Sequence, residues 1–302
     1  MRISAVVLNF NGAEYISRCL ESLSRVKHGA YFFDIYVIDN NSWDDSVKLV
    51  QNKFPNANLT INQTNLGFAE GNNVGIRLAL ENKSDFVWIV NPDVYVAPDS
   101  LLNLLAGADN YKNAGIFGPK IYFAPGYEFH RDRYAKKDLG RVIWYAGGNI
   151  DWNNLIASHR GVDQVDTGQF DHDIETDFVS GACMLIRSRV FSTTGLLDPK
   201  YYLYFEENDL CQRARKFGWR LMYICQSVVW HANAQSTGVG SSLQDYYITR
   251  NRLLFGLRYA PLRTKLSLVK QSLNLYLSGR PWQRRAVLDY YTNNLGAGSY
   301  QS

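Results

Sequence analysis

Two rhythms of apolar residues alternate between residues 3 and 123, and together they predict the elements. Short β-branched apolar runs read as buried strands: ISAVVL at 3–8, FDIYVID at 33–39, NLTIN at 58–62, DFVWIVN at 85–91 and AGIFGPKIYF at 114–123. Between them apolar residues recur at helical spacing. Ile16, Cys19, Leu20 and Leu23 mark a helix over 13–23, and Val47, Leu49 and Val50 turn inward from one over 44–54. Two more helices are expected over 69–80 and 100–108. Gly12 ends the first strand and Pro92 the fourth. Strands separated by single helices need crossover connections, so an α/β fold with a mainly parallel sheet is predicted. Ligands of such sheets bind beyond the carboxyl ends of the strands. Those ends carry Asn9, Asn11, Asp39, Asn40, Asn91 and Asp93, a polar set that includes two carboxylates.

The second half has a different texture. Residues 124–180 are rich in Gly, Asp and aromatics without helical period, which predicts loops and short strands. An apolar run resumes over 179–186. A helix is expected over 207–217, stopped by Gly218, then two strands at 219–224 and 227–231. From Leu243 onward the chain reads as helical. Within 265–277, Leu266, Val269, Leu273, Tyr276 and Leu277 share one helix face, with Lys265 and Lys270 beside it. These patterns divide the chain into a large α/β domain over 1–242 and a helical extension over 243–302.

Composition adds limits. A chain of 302 residues with 46% hydrophobic and 14% aromatic content can bury a full core. Its 20 tyrosines suit sugar-contacting surfaces, because each offers a ring and a hydroxyl, although most are expected in half-buried scaffold. The net charge of +4 is unevenly spread: between Asp209 and Asp289 the one acid is Asp245, while basic residues run from Arg213 to Arg285. Such a tail suits anionic lipid head groups or lipid-linked pyrophosphates. It otherwise makes a solvated basic face or packs against the enzyme or a second copy of the chain. No nucleic-acid motif accompanies it. Cys19, Cys183, Cys211 and Cys225 form no C-x-x-C pair, so neither a zinc site nor a disulfide framework is expected, and a reducing cytosol fits. The start, MRISAVVLNFNG, turns polar too soon for a signal peptide, and no run approaches the ~18 apolar residues of a membrane span. A cytoplasmic protein, soluble or peripheral on the inner face of a membrane, is the expectation.

Five clusters carry candidate chemistry. Asp39-Asn40-Asn41-Ser42 places a carboxylate where it can accept hydrogen bonds from a base or ribose, though the same residues make ordinary turns. As a surface-cleft carboxylate, Asp39 is expected to be removable without harm to the fold. The first βα turn, NFNGAEYI, lacks G-x-G-x-x-G, which argues against NAD or FAD. NLGFAEGNN at 65–73 combines glycines, which permit close approach of backbone to a ligand, with a helix start whose N–H groups suit an anion. Asn91-Pro92-Asp93 can supply oxygen ligands to a hard cation on a diphosphate. Glu206-Glu207-Asn208-Asp209 opens a helix with clustered carboxylates, whose mutual repulsion moves their pKa values apart and can fit one for general-base work. Arg213, one turn on, can pair with Asp209. Trp230-His231 ends a strand; a lone His is more often structural, so its role rests on its neighbours.

Taken in order, VVLNFNG, VIDNNSWDDS, NLGFAEGNN, IVNPDV, WYAGG, TDFVSGACMLIRSRVF, GLLDPKYYLYFEENDLCQRARKFGW, VVWH and YYITRNRLLF resemble glycosyltransferase family 2 over about residues 1–260. These are inverting enzymes of the GT-A fold, a Rossmann-like sheet here followed by a C-terminal helical extension, and the chain looks like the rhamnosyltransferase-type O-antigen or cell-wall branch. The resemblance implies that Asp39 contacts the base or ribose, with Asn9 in the same pocket. Gly67 and Asn72 would line the donor diphosphate and sugar. Asp93 matches the last carboxylate of a D-x-D metal motif, Asn91 standing where many members have the first Asp, and His231 would complete a site for Mg2+ or Mn2+. Glu207 matches the catalytic base, usually Asp, and so has a longer reach. Asp209 would bind acceptor. Trp144, Gly147, Gly148, Ser180 and Gly181 would shape the sugar and acceptor pockets, and Arg250 and Asn251 would lie near the diphosphate.

The implied reaction moves a sugar from dTDP-L-rhamnose or a UDP-sugar to a hydroxyl of a cell-surface glycan or lipid-linked oligosaccharide. The nearest rival is a galactofuranosyl or hexosyl transferase of the same fold. A nucleotidyltransferase would carry a Gly-rich basic loop where NFNGAEY stands, and a non-catalytic glycan-binding relative should have lost Glu207 or Asp93.

Overall fold

The computed structural model describes residues 1–232 and 241–300. Its first part is built from β1 (Arg2–Asn9), α1 (Ile16–Ser24), β2 (Phe32–Asp39), α2 (Ser46–Lys53), β3 (Asn58–Ile61), α3 (Gly67–Glu81) and β4 (Phe86–Val90). β1 runs parallel to both β2 and β4, and β2 to β3, as the alternation of strands and helices requires. Every residue of β4 is buried, which explains its unbroken apolar run. Helix α3 lies close on β1 because Gly71 faces Leu8: a Cβ there would come within 2.6 Å of Leu8 Cδ1. Of the three apolar positions expected to face inward from α2, only Val50 is fully buried; Val47 and Leu49 are half-buried.

Next come β5 (Val94–Val96), α4 (Ser100–Asn110), β6 (Ala114–Phe123), β7 (Ile143–Tyr145), β8 (Gly148–Asp151), β9 (Ile156–His159) and β10 (Ile174–Glu175). They are followed by β11 (Cys183–Arg187), α5 (Ser188–Thr194), α6 (Glu206–Lys216), β12 (Arg220–His231), α7 (Ser242–Tyr259), α8 (Leu262–Ser278) and α9 (Pro281–Tyr291). The main sheet runs β10-β12-β6-β11-β4-β1-β2-β3, with β5 on β12 and β7 on β6, and β8 pairs with β9 apart from it. β11 is antiparallel to both of its neighbours, β4 and β6.

The two strands expected at 219–224 and 227–231 are one strand, β12, with a register shift between Ile224 and Val228. The polar interruption there is a bulge rather than a turn. Its polar groups are satisfied by α4: Asn103 Nδ2 donates to the Gln226 carbonyl (2.6 Å) and the buried Ser227 Oγ to the Ser100 carbonyl (3.0 Å). The shift lets the end of β12 pair with β5, which brings residue 231 to the cleft.

Helix α7 is stitched into the sheet domain through Leu253 and Phe255, which join the main core. Tyr246 and Tyr247 of α7 and Ala286 of α9 form a smaller cluster against Tyr202, Tyr204 and Trp282. Among the described residues no helix is long and apolar enough to cross a membrane. All four cysteines are buried and free.

Candidate active site

The parallel register sets Asn9, the last residue of β1, beside Asp39, the last of β2. Asn9 Nδ2 donates to Asp39 Oδ1 (2.7 Å) and to Ser46 Oγ (2.8 Å). Ser42 donates twice to Asp39, from its N–H to Oδ2 (2.8 Å) and from Oγ to Oδ1 (2.6 Å). Asp39 is therefore buried with both oxygens bonded, and not the dispensable cleft carboxylate expected from sequence. Asn9 Oδ1, by contrast, is buried without a partner.

The start of α3 also differs from expectation. Its free N–H groups were expected to suit an anion, yet Phe68 and Ala69 both donate to the Tyr202 carbonyl (2.6 and 3.2 Å), and Gly67 donates to Asn65 Oδ1 (2.9 Å). A loop capping the helix has taken the place of a phosphate. Gly67, at φ +75°, is required by that loop: a Cβ would lie 2.4 Å from the Tyr202 ring. One turn on, Asn72 donates to the Phe68 carbonyl (2.9 Å) while its Oδ1 is left without a partner.

Antiparallel pairing of β5 with β12 draws Asp93 and His231 together. His231 Nε2 lies 3.1 Å from Asp93 Oδ2, and the Ala232 N–H donates to the Asp93 carbonyl (2.8 Å). The Trp144 indole stands edge-on to the His231 ring at 4.5 Å. Behind Trp144, His159 Nδ1 is 3.0 Å from the Trp144 carbonyl, and burial pulls the pKa of His159 down to about 4, so this imidazole is neutral. Asp93 Oδ1 and His231 Nδ1 are both buried without partners. A carboxylate oxygen and an imidazole nitrogen fit a divalent ion that takes its other ligands from substrate phosphates. Among the described residues no three metal-ligating side chains converge, so the protein offers a partial shell and not a closed cage. The Gly- and Ser-rich segment after His231 falls mostly outside the described residues.

The loop before α6 is bent sharply: Tyr202, Tyr204 and Phe205 have φ of +64°, +70° and +73°. Such backbone persists only where the surroundings hold it. The clamp comes from α7. Asn251 Nδ2 donates to the carbonyls of Tyr201 (2.8 Å), Leu203 (2.7 Å) and Tyr204 (2.9 Å), and Arg250 donates to those of Lys200 and Tyr201. Arg250 and Asn251 are buried, and they bond this loop from within the fold; the sequence motif gave no sign of that role. The loop delivers Glu206 and Glu207 at the start of α6.

Glu206 and Glu207 each keep one buried oxygen without a partner. Burial raises the pKa of both, and the charge of Glu207 pushes Glu206 further up. Asn208 Nδ2 donates to Glu207 Oε1 (3.1 Å), and the Glu207 Cβ faces Gly181, so those two expected site residues do meet. Asp209 is different. It is 0% exposed, and it accepts from Arg213 Nε (2.7 Å), Arg258 Nη1 (2.6 Å), Tyr259 Oη (2.7 Å) and Tyr201 Oη (3.2 Å). Both oxygens are bonded inside the fold, three donors on Oδ1 and one on Oδ2, and there is no surface for an acceptor to reach; the expected i, i+4 pair with Arg213 is one part of a larger knot.

A cavity of about 300 Å³ between the β8–β9 hairpin and α7–α8 lies apart from these groups. Its guanidinium, Arg252, is already bonded to Gln271 and to the carbonyls of Asn154 and Leu155. Apart from Trp88 Nε1 inside β4, the unpartnered side-chain atoms among the described residues lie at or just past strand ends, on α3 and at the start of α6.

A family model described as "Glycosyltransferase like family 2" matches residues 1–256. The chain belongs to that family. This glycosyltransferase is 26% identical over 244 residues to the N-acetylglucosaminyl-diphospho-decaprenol L-rhamnosyltransferase of Mycobacterium tuberculosis (strain CDC 1551 / Oshkosh), covering 78% of each chain. It is 25% identical over 256 residues to the low-salt glycan biosynthesis hexosyltransferase Agl10 of Haloferax volcanii, covering 83% of this chain and 74% of that one. Its fold matches the crystal structure of GalNAc-T7 with UDP, GalNAc and Mn2+ at a TM-score of 0.68 and 15% identity, over 97% of this chain and 54% of the other. The fold is GT-A, and the enzyme is a family 2 glycosyltransferase, as the sequence motifs implied.

Proposed function

We propose that this enzyme transfers L-rhamnose from dTDP-L-rhamnose, with inversion, to a hydroxyl of a lipid-linked oligosaccharide on the cytoplasmic face of a membrane. The observation that supports a transfer site is that, of the eight buried side-chain polar atoms without partners among the described residues, five belong to the expected site residues: Asn9 Oδ1, Asn72 Oδ1, Asp93 Oδ1, His231 Nδ1 and Glu207 Oε2. Leaving each unpaired costs about 1–3 kcal/mol, so a ligand that bonds several of them is the economical explanation. The choice of rhamnose and of a lipid-linked acceptor leans on the mycobacterial relative's name.

In this reading Asn9 and Asp39 hold the nucleoside, Asn72 and the Gly67 turn border the sugar, and Asp93 with His231 holds Mg2+ or Mn2+. An ion held there would supply positive charge against the departing diphosphate. Glu207 takes the proton from the acceptor hydroxyl. That oxygen forms a bond to the anomeric carbon from the face opposite the phosphate, the carbon–phosphate oxygen bond breaks, and the nucleoside diphosphate leaves. Trp144 and Gly181 border the acceptor path beside His231 and Glu207 respectively. Residues 1–242 form the catalytic domain, and 243–302 the extension, whose α7 holds the bent loop in place.

The test is a donor panel of dTDP-L-rhamnose, UDP-galactofuranose and UDP-hexoses with a lipid pyrophosphate-linked acceptor, before and after chelation. Transfer from dTDP-L-rhamnose, lost with EDTA and restored by Mn2+ or Mg2+, is expected. Preference for a UDP-hexose would move the enzyme to the hexosyltransferase reading that the Haloferax volcanii relative suggests. Full activity after chelation would remove the ion from Asp93 and His231.

A further inference from the structure

Helix α8 is packed the wrong way round for an ordinary surface helix. It buries Thr264, Leu268 and Ser272 and turns its richest apolar face to solvent. Leu262, Leu266, Val269, Leu273, Tyr276 and Leu277 are all exposed, Leu262 by 73% and Leu266 and Leu277 by 64% each. At about 100° per residue these six positions fall within an arc of roughly 100°. Arg263 and Lys270 border the stripe on one side and Lys265 on the other, and none has an ion pair among the described residues. Arg284 lies at the end of the stripe, donating to the Leu277 carbonyl (2.9 Å).

The charge around the stripe has one sign. From Asp245 to Asp289 the sequence contains no other acid. Asp245 is held by Arg280, and Asp289 is buried on Tyr246, Ser299 and Arg285. The spacing 262, 266, 269, 273, 276 would also suit a helix-to-helix seam. A second copy of α8, however, would bring only more positive charge to the flanks in either direction, which disfavours self-pairing. An apolar stripe edged by unpaired cations complements an anionic lipid surface, where the side chains enter the acyl boundary and the cations meet head groups.

We infer that the outer face of α8 is a membrane-docking surface for anionic lipid. This deepens the reading of a lipid-linked acceptor, but vesicle binding reads the surface alone and needs neither donor nor acceptor.

The experiment is co-sedimentation of the full chain with phosphatidylcholine vesicles, with and without about 30% phosphatidylglycerol, alongside its mass in solution by light scattering. Binding to the anionic vesicles only, weakened at least tenfold as salt rises from about 0.1 to 0.5 M, is expected. Leu266→Ser with Leu273→Ser should reduce that binding at least tenfold without lowering Tm, since both side chains are exposed. Lys265→Gln with Lys270→Gln should reduce it with the stripe intact. Equal binding to both vesicle types, or to neither, would overturn the inference. So would a dimer of the wild-type chain that the leucine substitutions dissolve, because the stripe would then be a contact between copies. Donor turnover on a soluble acceptor is measured separately, so a failed donor assignment and a failed docking face give different results.

Discussion

Glu207 and Asp209 sit two residues apart on the first turn of α6, in opposite states. Asp209 is enclosed by two guanidinium groups and two tyrosine hydroxyls, with both oxygens bonded and no surface. Glu207, like Glu206 before it, keeps a buried oxygen with no partner and a pKa raised by burial. A charge fully paired inside a fold is scaffold, and removing it leaves its partners stranded. A carboxylate left unpaired weakens the fold unless something outside the chain uses it. Three acids that read alike in sequence thus divide into a pair with unpartnered oxygens and a structural knot. Asp39 stands between these states: both oxygens accept within the fold, but Oδ2 takes a single donor, while Asp93 keeps Oδ1 without a partner.

The largest expected effect breaks or keeps this contrast directly. Glu207→Gln preserves shape and removes proton acceptance, so turnover should fall by about 10²–10⁴ with little change in nucleotide affinity and no loss of stability. In the wild type the acid limb of the rate profile should lie above the ordinary Glu range, because the raised pKa keeps Glu207 protonated, and inactive, to higher pH. A near-normal rate in the variant would assign the base to Glu206.

Asp209→Asn should do the reverse. It leaves Arg213 and Arg258 short of their counter-charge at a buried site, and about 3 kcal/mol of stability should be lost in urea unfolding. Acceptor KM measured on folded protein should stay within about twofold. A marked rise in KM with stability unchanged would restore the acceptor role expected from sequence.

Asp39→Asn sharpens the comparison at the other end of the cleft. It weakens acceptors for Asn9 and Ser42, so a loss of about 1–2 kcal/mol in stability is expected together with weaker UDP and dTDP binding. Calorimetry that finds nucleotide affinity unchanged while Tm drops would make Asp39 purely structural.

The smallest effect concerns Glu206. Its folded pKa is raised above the ordinary value of 4.5. The folded state therefore holds this proton more tightly than the unfolded state, and the group's contribution to stability falls as pH climbs from 4.5 through the folded pKa. Glu206→Gln does not titrate. It should raise Tm by about 2–4 °C at pH 8, and the gain should vanish near pH 4. An equal gain at both pH values would mean that shape, not charge, is what the variant relieves.

Much of the fold and part of the site were legible in the chain itself. The apolar and helical runs located β1 to β4 and the helices between them, and with them Asn9 and Asp39 side by side at the carboxyl ends of β1 and β2 and Asp93 just past the end of β4. The apolar face of α8 was legible too. Periodicity is a local property, set by which side of an element meets apolar surroundings. What it cannot report is the identity of a distant partner. Arg258 and Tyr259, about fifty residues away, decided that Asp209 is scaffold. Arg250 and Asn251 fixed the bent loop that presents Glu207, and the Tyr202 carbonyl took the N–H groups of α3 that had looked free for phosphate. The sequence alone determined the family, the sheet and the list of polar candidates, because these follow from residue type and spacing. Only the tertiary structure decided which candidates are spent and which are left open, because a buried polar atom takes its role from whatever long-range packing sets beside it.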